Sequence, residues 1–128
     1  MDTKTKTRNI PNKEEQYIQE QFNLLMDSCA NSMGEEELDL VRRAFNMANK
    51  MHQGVHRKSG EPYIIHPLAV ARIVNEEIGL EGEAVASALL HDVVEDTHAT
   101  YEEIAEIFGE ETAHIVAGVT KISKLNVE

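Results

Sequence analysis

The sequence is poor in residues that cross-link, break or bend a chain. It contains one cysteine, three prolines and seven glycines among 128 residues. Because a single thiol cannot form an internal disulfide, the chain has no disulfide framework and gives no sign of an oxidising compartment. Few helix breakers, together with long stretches rich in Ala, Glu, Leu and Met, favour helices over strands. The length suits one domain.

The sequence also lacks long apolar runs. No stretch reaches the roughly 18–20 consecutive apolar residues that a membrane-spanning helix needs. The N-terminus has no apolar core of the kind found in signal peptides. We therefore expect no membrane partner and a cytoplasmic location.

Basic residues are scarce relative to acidic ones. Twelve Lys and Arg stand against 23 Asp and Glu, which gives a formal net charge of −11. Without a broad positive field to neutralise phosphates, the chain is not expected to bind nucleic acid directly. A small phosphorylated ligand remains compatible with this charge, because it needs only a local basic patch or a metal ion.

Apolar spacing and capping patterns predict an all-α domain over residues 13–128, behind a polar lead over residues 1–12. The segment from Gly54 to His66 contains two glycines and Pro62, so we expect a structured loop there. The predicted helices run from near Lys13 to Ser28, from the capping-box pattern Ser32-Met-Gly-Glu35 towards Gly54, from Pro67 to Gly79, through the apolar run 84–90, from Thr100 to Gly109, and from Glu110 to near Val119.

A cluster of ionisable residues follows directly on the apolar run 84–90. His91 and Glu95 are four residues apart, as are Asp92 and Asp96, so all four can gather on one side of a helix. Three carboxylates so close together repel one another. At a helix C-terminus they also oppose the helix dipole, by about 0.3–1 kcal/mol each when exposed. A divalent metal ion is the simplest compensation for this charge.

His66 is the third predicted metal ligand. Pro67 follows it, and the proline ring disfavours the α region for the preceding residue, so we expect an extended backbone at His66 just before a helix. One distant histidine plus the adjacent pair His91 and Asp92 is a ligand mixture suited to Mn, Fe or Zn. Taken alone, His66 is better explained as a polar loop end. For the pair, the alternative explanation is a helix end exposed to solvent. Apolar residues continue beyond the pair, however, which favours a metal site.

Two further groups complete the candidate site. Glu95 and Asp96 suit the positioning or deprotonation of an attacking water, although they can also be explained as surface charge or as acids preceding a later helix. Arg57, Lys58 and Ser59 form the main basic segment of an acidic chain. Arginine can pair with phosphate or stack on a base, and lysine adds a point charge. Alone such a segment is typical of a solvated turn, but few residues separate it from the ligand histidine.

Four segments together resemble a known family. The HD-domain metal phosphohydrolases are named for a His-Asp pair of this kind. The specific resemblance, to the N-terminal hydrolase domain of the RelA/SpoT homologues, covers roughly residues 38–125. It is carried by Arg57-Lys-Ser-Gly-Glu-Pro-Tyr63, Ile65-His-Pro67, Ala88-Leu-Leu-His-Asp-Val-Val-Glu-Asp-Thr97 and Gly118-Val-Thr-Lys121.

This resemblance implies an all-helical HD fold and a defined reaction. The implied reaction is the Mn²⁺-dependent removal of the 3′-diphosphate from guanosine tetra- or pentaphosphate, which yields GDP or GTP and pyrophosphate. The residues singled out above match the family's functional positions: His66, His91 and Asp92 the metal ligands, Glu95 and Asp96 the pair acting on the attacking water, and Arg57, Lys58 and Ser59 the nucleotide-binding loop.

One part of the family's site has no counterpart here. In the family a further aspartate, within an Asp-Arg-Leu-His-Asn-like segment, completes the metal site, whereas no aspartate follows Asp96. We therefore expect an HD-like helical bundle without its closing C-terminal helices, weak or absent activity, and self-association through exposed helix faces. The alternatives are an HD phosphohydrolase for another nucleotide and a non-catalytic fragment that binds nucleotide or a partner.

Overall fold

The computed structural model describes residues 12–80, 82–97 and 99–127, without the side chains of residues 95–96 and 119–127. Of the predicted lead over residues 1–12, only Asn12 is described. The division into a lead and a domain over 13–128 stays a prediction.

Six α-helices make up most of the described chain. No β-strand occurs within these ranges beyond a single bridge between His56 and Pro62. The prediction of an all-α fold is therefore confirmed. None of the described helices is long and apolar enough to cross a membrane. The helices are α1 (Lys13–Ala30), α2 (Glu35–Met51), α3 (Ile65–Ile73), which a π-helical turn (Val74–Ile78) continues, α4 (Gly82–Asp96), α5 (Tyr101–Phe108) and α6 (Glu110–Val127).

Local capping explains where several helices begin and end. Asn12 Oδ1 accepts a hydrogen bond from the Glu15 backbone N–H at 2.7 Å, and this capping box starts α1 at Lys13, as predicted. Thr100 caps α5 in the same way. Gly79, with φ of +84°, lies in the left-handed region and ends the π-helical turn at the predicted position.

Ser32 is not the cap of α2, so this part of the prediction is wrong. The backbone N–H groups of Ser32 and Met33 both donate to the Cys29 carbonyl, at 3.1 and 2.9 Å. These bonds hold Ser32 in the turn that closes α1. The helix begins later, at Glu35 behind Gly34.

His66 is helical rather than extended, which corrects a second prediction. The α3 helix begins at Ile65, two residues before Pro67. The Ile65 and His66 N–H groups donate to the carbonyls of Pro62 and Tyr63, at 3.2 and 3.0 Å. A proline in the first turn removes only an N–H that needs no partner within the helix, so these bonds override the local preference of the residue before proline.

The last helix is longer than predicted. α6 runs to Val127 rather than ending near Val119. Gly118 lies inside it and costs about 1 kcal/mol relative to alanine, but it keeps its backbone N–H and so does not interrupt the hydrogen-bond ladder. No proline follows that could end the helix.

The α4 helix is the centre of the domain. It packs against α2, α3 and α6. Every residue from 85 to 90 is buried, and Leu89, Leu90 and Val93 have no exposed surface. The helix predicted through the apolar run 84–90 is therefore covered on most sides. Side chains that follow this run therefore project from a rigid element.

Cys29 is expected to be chemically inert while the protein is folded. Burial, with a smaller effect of the nearby Glu76 carboxylate, raises the pKa of its thiol to about 11. Because the thiolate is the reactive form, iodoacetamide at about pH 8 should label the folded protein far more slowly than the unfolded protein in guanidinium. Mass spectrometry of timed samples measures both rates. Comparable rates would show that the thiol is accessible in the folded state.

Candidate metal centre

The three predicted ligands lie together where α3 meets α4. His66 is in the first turn of α3, and His91 and Asp92 are in the last turns of α4. One ligand atom from each residue lies within 4.8 Å of the other two. The side chains of His91 and Asp92 are only 11% and 14% exposed. Within the described part of the chain, no other group of three His, Cys, Asp or Glu residues has this geometry.

A backbone contact sets the orientation of the His91 ring. Its Nδ1 lies 2.8 Å from the Ala88 carbonyl oxygen. Because a carbonyl can only accept, Nδ1 carries a proton. The other nitrogen, Nε2, faces Asp92 Oδ2 at 3.2 Å and carries a lone pair once the ring is neutral. A ring whose one N–H is held by a backbone carbonyl, which leaves the other nitrogen for a metal ion, is the usual support of a metal-binding histidine.

The surroundings of His66 favour the neutral imidazole. Burial lowers its pKa, and the positive charge of Arg57 lowers it further, while the Asp92 carboxylate acts in the opposite direction. Neutral imidazole is the form that binds metal ions. The direction of this pKa shift fits a ligand, and the effect of the Arg57 charge indicates that the basic loop is near His66.

Tyr63 belongs to the site although the sequence did not single it out. Its hydroxyl donates a hydrogen bond to Asp92 Oδ2. Its ring lies between the rings of His52 and His66, with centroid distances of 4.9 and 5.9 Å. A single tyrosine forms no spacing pattern in the sequence that would indicate a metal site. The available clue was its position three residues before the ligand histidine.

Glu95 and Asp96 occupy the last turn of α4. Their side chains lie outside the described part of the structure. The helix register places Glu95 one turn beyond His91 and Asp96 one turn beyond Asp92. Their action on an attacking water stays a prediction.

Arg57, Lys58 and Ser59 form an exposed turn beside the centre. The Gly60 N–H donates to the Arg57 carbonyl at 2.8 Å, and the Arg57 N–H donates to the Glu61 carbonyl at 2.9 Å. The Ser59 hydroxyl donates to Glu61 Oε1 at 2.6 Å. The turn is therefore shaped by its own hydrogen bonds, and the two basic side chains project from it.

An ion pair ties this loop to α1. His56 Nε2 lies 2.9 Å from a Glu14 carboxylate oxygen, and His56 Nδ1 lies 3.3 Å from the Gly54 carbonyl. The hydrogen bond to Glu14 raises the pKa of His56. Both ring nitrogens face acceptors, which suits the protonated ring. This contact joins segments that are 42 residues apart in the sequence.

A cavity of about 580 Å³ lies between the start of α1, the end of α2 and this loop. Glu14, His52 and His56 are among its lining residues, but the three metal-ligand candidates are not. The chemical argument therefore rests on the ligand cluster and the basic turn, and not on this cavity.

Comparison with known proteins places this geometry in context. Residues 44–128 match the family model of the HD domain. The chain is 51% identical over 90 residues to a GTP pyrophosphokinase of Myxococcus xanthus, which covers 70% of this chain and 12% of the relative. It is 43% identical over 109 residues to the bifunctional (p)ppGpp synthase/hydrolase SpoT of Escherichia coli (strain K12). That match covers 85% of this chain and 15% of the relative.

A third relative shows the same partial coverage. The chain is 53% identical over 85 residues to a guanosine-3′,5′-bis(diphosphate) 3′-pyrophosphohydrolase of Aquifex aeolicus (strain VF5), which is 66% of this chain and 12% of that protein. This chain therefore spans only a small part of the length of these relatives. All residues of the candidate site fall within the range that matches the HD-domain model.

Proposed function

Because the chain belongs to the HD-domain family and its relatives are of the RelA/SpoT type, we propose that it removes the 3′-diphosphate of guanosine tetra- or pentaphosphate in the stringent response. GDP or GTP and pyrophosphate are the products. The observation that carries the proposal is the convergence of His66, His91 and Asp92 beside the Arg57 turn.

The donor set fits a divalent transition metal ion. Two imidazole nitrogens and one carboxylate oxygen suit Mn, Fe or Zn, and we propose Mn²⁺. When bound, such an ion polarises a phosphoryl oxygen as a Lewis acid. The residues already meet its requirements: His66 is favoured in the neutral form, His91 presents Nε2, and Asp92 supplies negative charge.

In the proposed reaction, Glu95 and Asp96 hold the attacking water and accept its proton. The water oxygen forms a bond to the phosphorus next to the ribose 3′ oxygen, and the bond between that phosphorus and the 3′ oxygen breaks. The 3′ oxygen leaves with a proton that the carboxylate pair returns through solvent, and pyrophosphate retains the oxygen of the water. A carboxylate near the attacking water is suited to this proton transfer.

The basic turn is proposed to bind the nucleotide. With a net charge of −11, most of the surface repels a polyphosphate, so Arg57 and Lys58 supply local attraction. The guanidinium can pair with phosphate or stack on guanine, and the Ser59 hydroxyl adds a polar contact. Arg57 is near enough to His66 to lower its pKa, and we propose that one nucleotide contacts both the turn and the metal centre.

Lys58→Ala is expected to raise the KM for guanosine tetraphosphate roughly tenfold and to change kcat less. The reason is that a charged hydrogen bond to phosphate is worth about 1.5 kcal/mol or more. Steady-state pyrophosphate release measures both constants. Lys50→Ala, at the exposed end of α2, is the matched control. Equal KM values for the two variants would remove Lys58 from the binding site.

The proposed function is tested by titrating the protein with Mn²⁺ and analysing products under single-turnover conditions, with protein in excess so that slow hydrolysis is still quantified. Release of pyrophosphate from guanosine tetraphosphate supports the proposal. Hydrolysis of another nucleotide instead would favour a different HD phosphohydrolase. Nucleotide binding without hydrolysis would favour a non-catalytic binding fragment.

Three expectations about partners and location accompany this proposal. We propose a cytoplasmic location, no direct binding of nucleic acid, and self-association through exposed helix faces. Ile73, Ile78 and Leu80, near the end of α3, are large apolar residues that are 48%, 62% and 48% exposed. They are among the exposed apolar residues of the described surface through which self-association is proposed to occur.

A further inference from the structure

We propose that Tyr63 is a positioning residue of the metal centre, which holds Asp92 in the orientation that a divalent cation requires and connects it to the basic turn. The inference rests on the proposed metal centre but not on the identity of the nucleotide. Its starting observation is the hydrogen bond from the Tyr63 hydroxyl to Asp92 Oδ2.

The Tyr63 hydroxyl gives Asp92 a hydrogen-bond donor from outside the helix that carries it. Asp92 Oδ2 also lies 3.2 Å from His91 Nε2. In the neutral, metal-binding form of His91 the ring proton is on Nδ1, against the Ala88 carbonyl, so Nε2 then offers a lone pair rather than a proton. A carboxylate has about four acceptor positions, so one hydrogen bond from Tyr63 leaves the others for a cation.

The Tyr63 ring is itself well fixed. It lies against the ring of His52, which is only 4% exposed, at a centroid distance of 4.9 Å, and against the ring of His66 at 5.9 Å. Its backbone N–H donates to the Val55 carbonyl at 2.8 Å and closes the loop that carries the basic turn. A hydroxyl held by these contacts restricts the rotation of the Asp92 side chain. It also links the position of the turn to that of the carboxylate.

Tyr63→Phe tests the inference because it keeps the ring and removes only the hydroxyl. Residues that orient a ligand typically change metal affinity by about 10–100-fold, and we expect a loss of this size for Mn²⁺. Equilibrium dialysis followed by metal analysis measures the affinity, and circular dichroism checks the helix content. Tyr17→Phe, at an exposed position of α1, is the matched control and should bind as the wild type does.

A double-mutant cycle with Asp92→Ala distinguishes positioning from packing, because alanine cannot accept the hydrogen bond from Tyr63. Zn²⁺ is used there, because it binds such donors more tightly than Mn²⁺ and weak variants stay measurable. If Tyr63 acts through Asp92, Tyr63→Phe costs much less affinity in the Asp92→Ala background than in the wild type. Equal losses in both backgrounds, or no loss in the wild type, would overturn the inference.

Tyrosine emission gives a readout that does not depend on hydrolysis. The chain has three tyrosines and no tryptophan. Addition of Mn²⁺ should change the emission of the wild type and of Tyr17→Phe, but much less that of Tyr63→Phe. If these differences appear while guanosine tetraphosphate is not hydrolysed, the positioning role stands and the proposed function fails. If the wild type binds no metal ion, both are wrong.

Discussion

Asp92→Asn is expected to lower the Mn²⁺ affinity by more than the roughly 10–100-fold that is typical of residues that only orient a ligand. Asp92 is the one anionic member of the three-residue ligand group. Asparagine has nearly the same shape but no charge, so the substitution removes most of the attraction for a dication. Its side-chain oxygen can still accept the hydrogen bond from Tyr63, so the fold is expected to persist.

Thermal unfolding with and without Mn²⁺ measures this effect. A ligand that binds only the folded state stabilises it by RT ln(1 + [L]/Kd), so the Tm of the wild type should rise with metal concentration. The Tm of Asp92→Asn should rise little over the same range. Asp39→Asn is the control, because Asp39 is an exposed carboxylate on α2 that pairs with Arg43 at 3.0 Å. A metal-dependent rise in Tm that is the same in all three proteins would exclude Asp92 as a ligand.

The parts of the site that lie within one helix could be predicted from the sequence. The uncharged run 84–90 indicated a buried helix, and the helical repeat then determined which of the following side chains share a face. His91 and Asp92 consequently lie where the spacing predicted. The start of α1 and both ends of α5 were predictable for the same reason, since each depends on capping residues within a few positions.

Contacts between distant segments could not be predicted in this way. Tyr63 and Asp92 are 29 residues apart, and Glu14 and His56 are 42 apart. No periodic pattern connects either pair, because the contacts depend on how α1, α3 and α4 pack. The wrong predictions at Ser32 and His66 have a related cause. In both places, backbone hydrogen bonds to preceding residues outweighed the local preference of the side chain or of the following proline.

Family membership and the site geometry support different parts of the proposal. The match over residues 44–128 establishes an HD domain, while the activities of the three compared relatives belong to proteins of which this chain spans only 12–15%. The roles of individual residues rest on the convergence of His66, His91 and Asp92 and on the basic turn beside them. Metal affinity and hydrolysis are therefore best measured separately for each variant.

Glu95→Gln is expected to lower the single-turnover rate of hydrolysis by about 100–10,000-fold, the usual contribution of a general base, while it changes the Mn²⁺ affinity by less than about threefold. Glu95 is one turn beyond His91 on α4, so its backbone position places it on the same face as the ligand. Glutamine can still hydrogen-bond to a water molecule, but it cannot take up the proton. Glu106→Gln, at an exposed position of α5, is the control.

The two measured quantities assign the role of Glu95. A slower reaction at unchanged metal affinity means that this carboxylate acts on the water or the substrate. A loss of affinity as large as that of Asp92→Asn would instead make Glu95 a fourth ligand, and the proton would then need another acceptor, of which Asp96 is the nearest in the sequence. A variant that retains both the rate and the affinity would remove Glu95 from the site. Asp92 is on the same helix, so unfolding of the variant would also lower the metal affinity. An unfolded variant is distinguished from the results above by its loss of helix content.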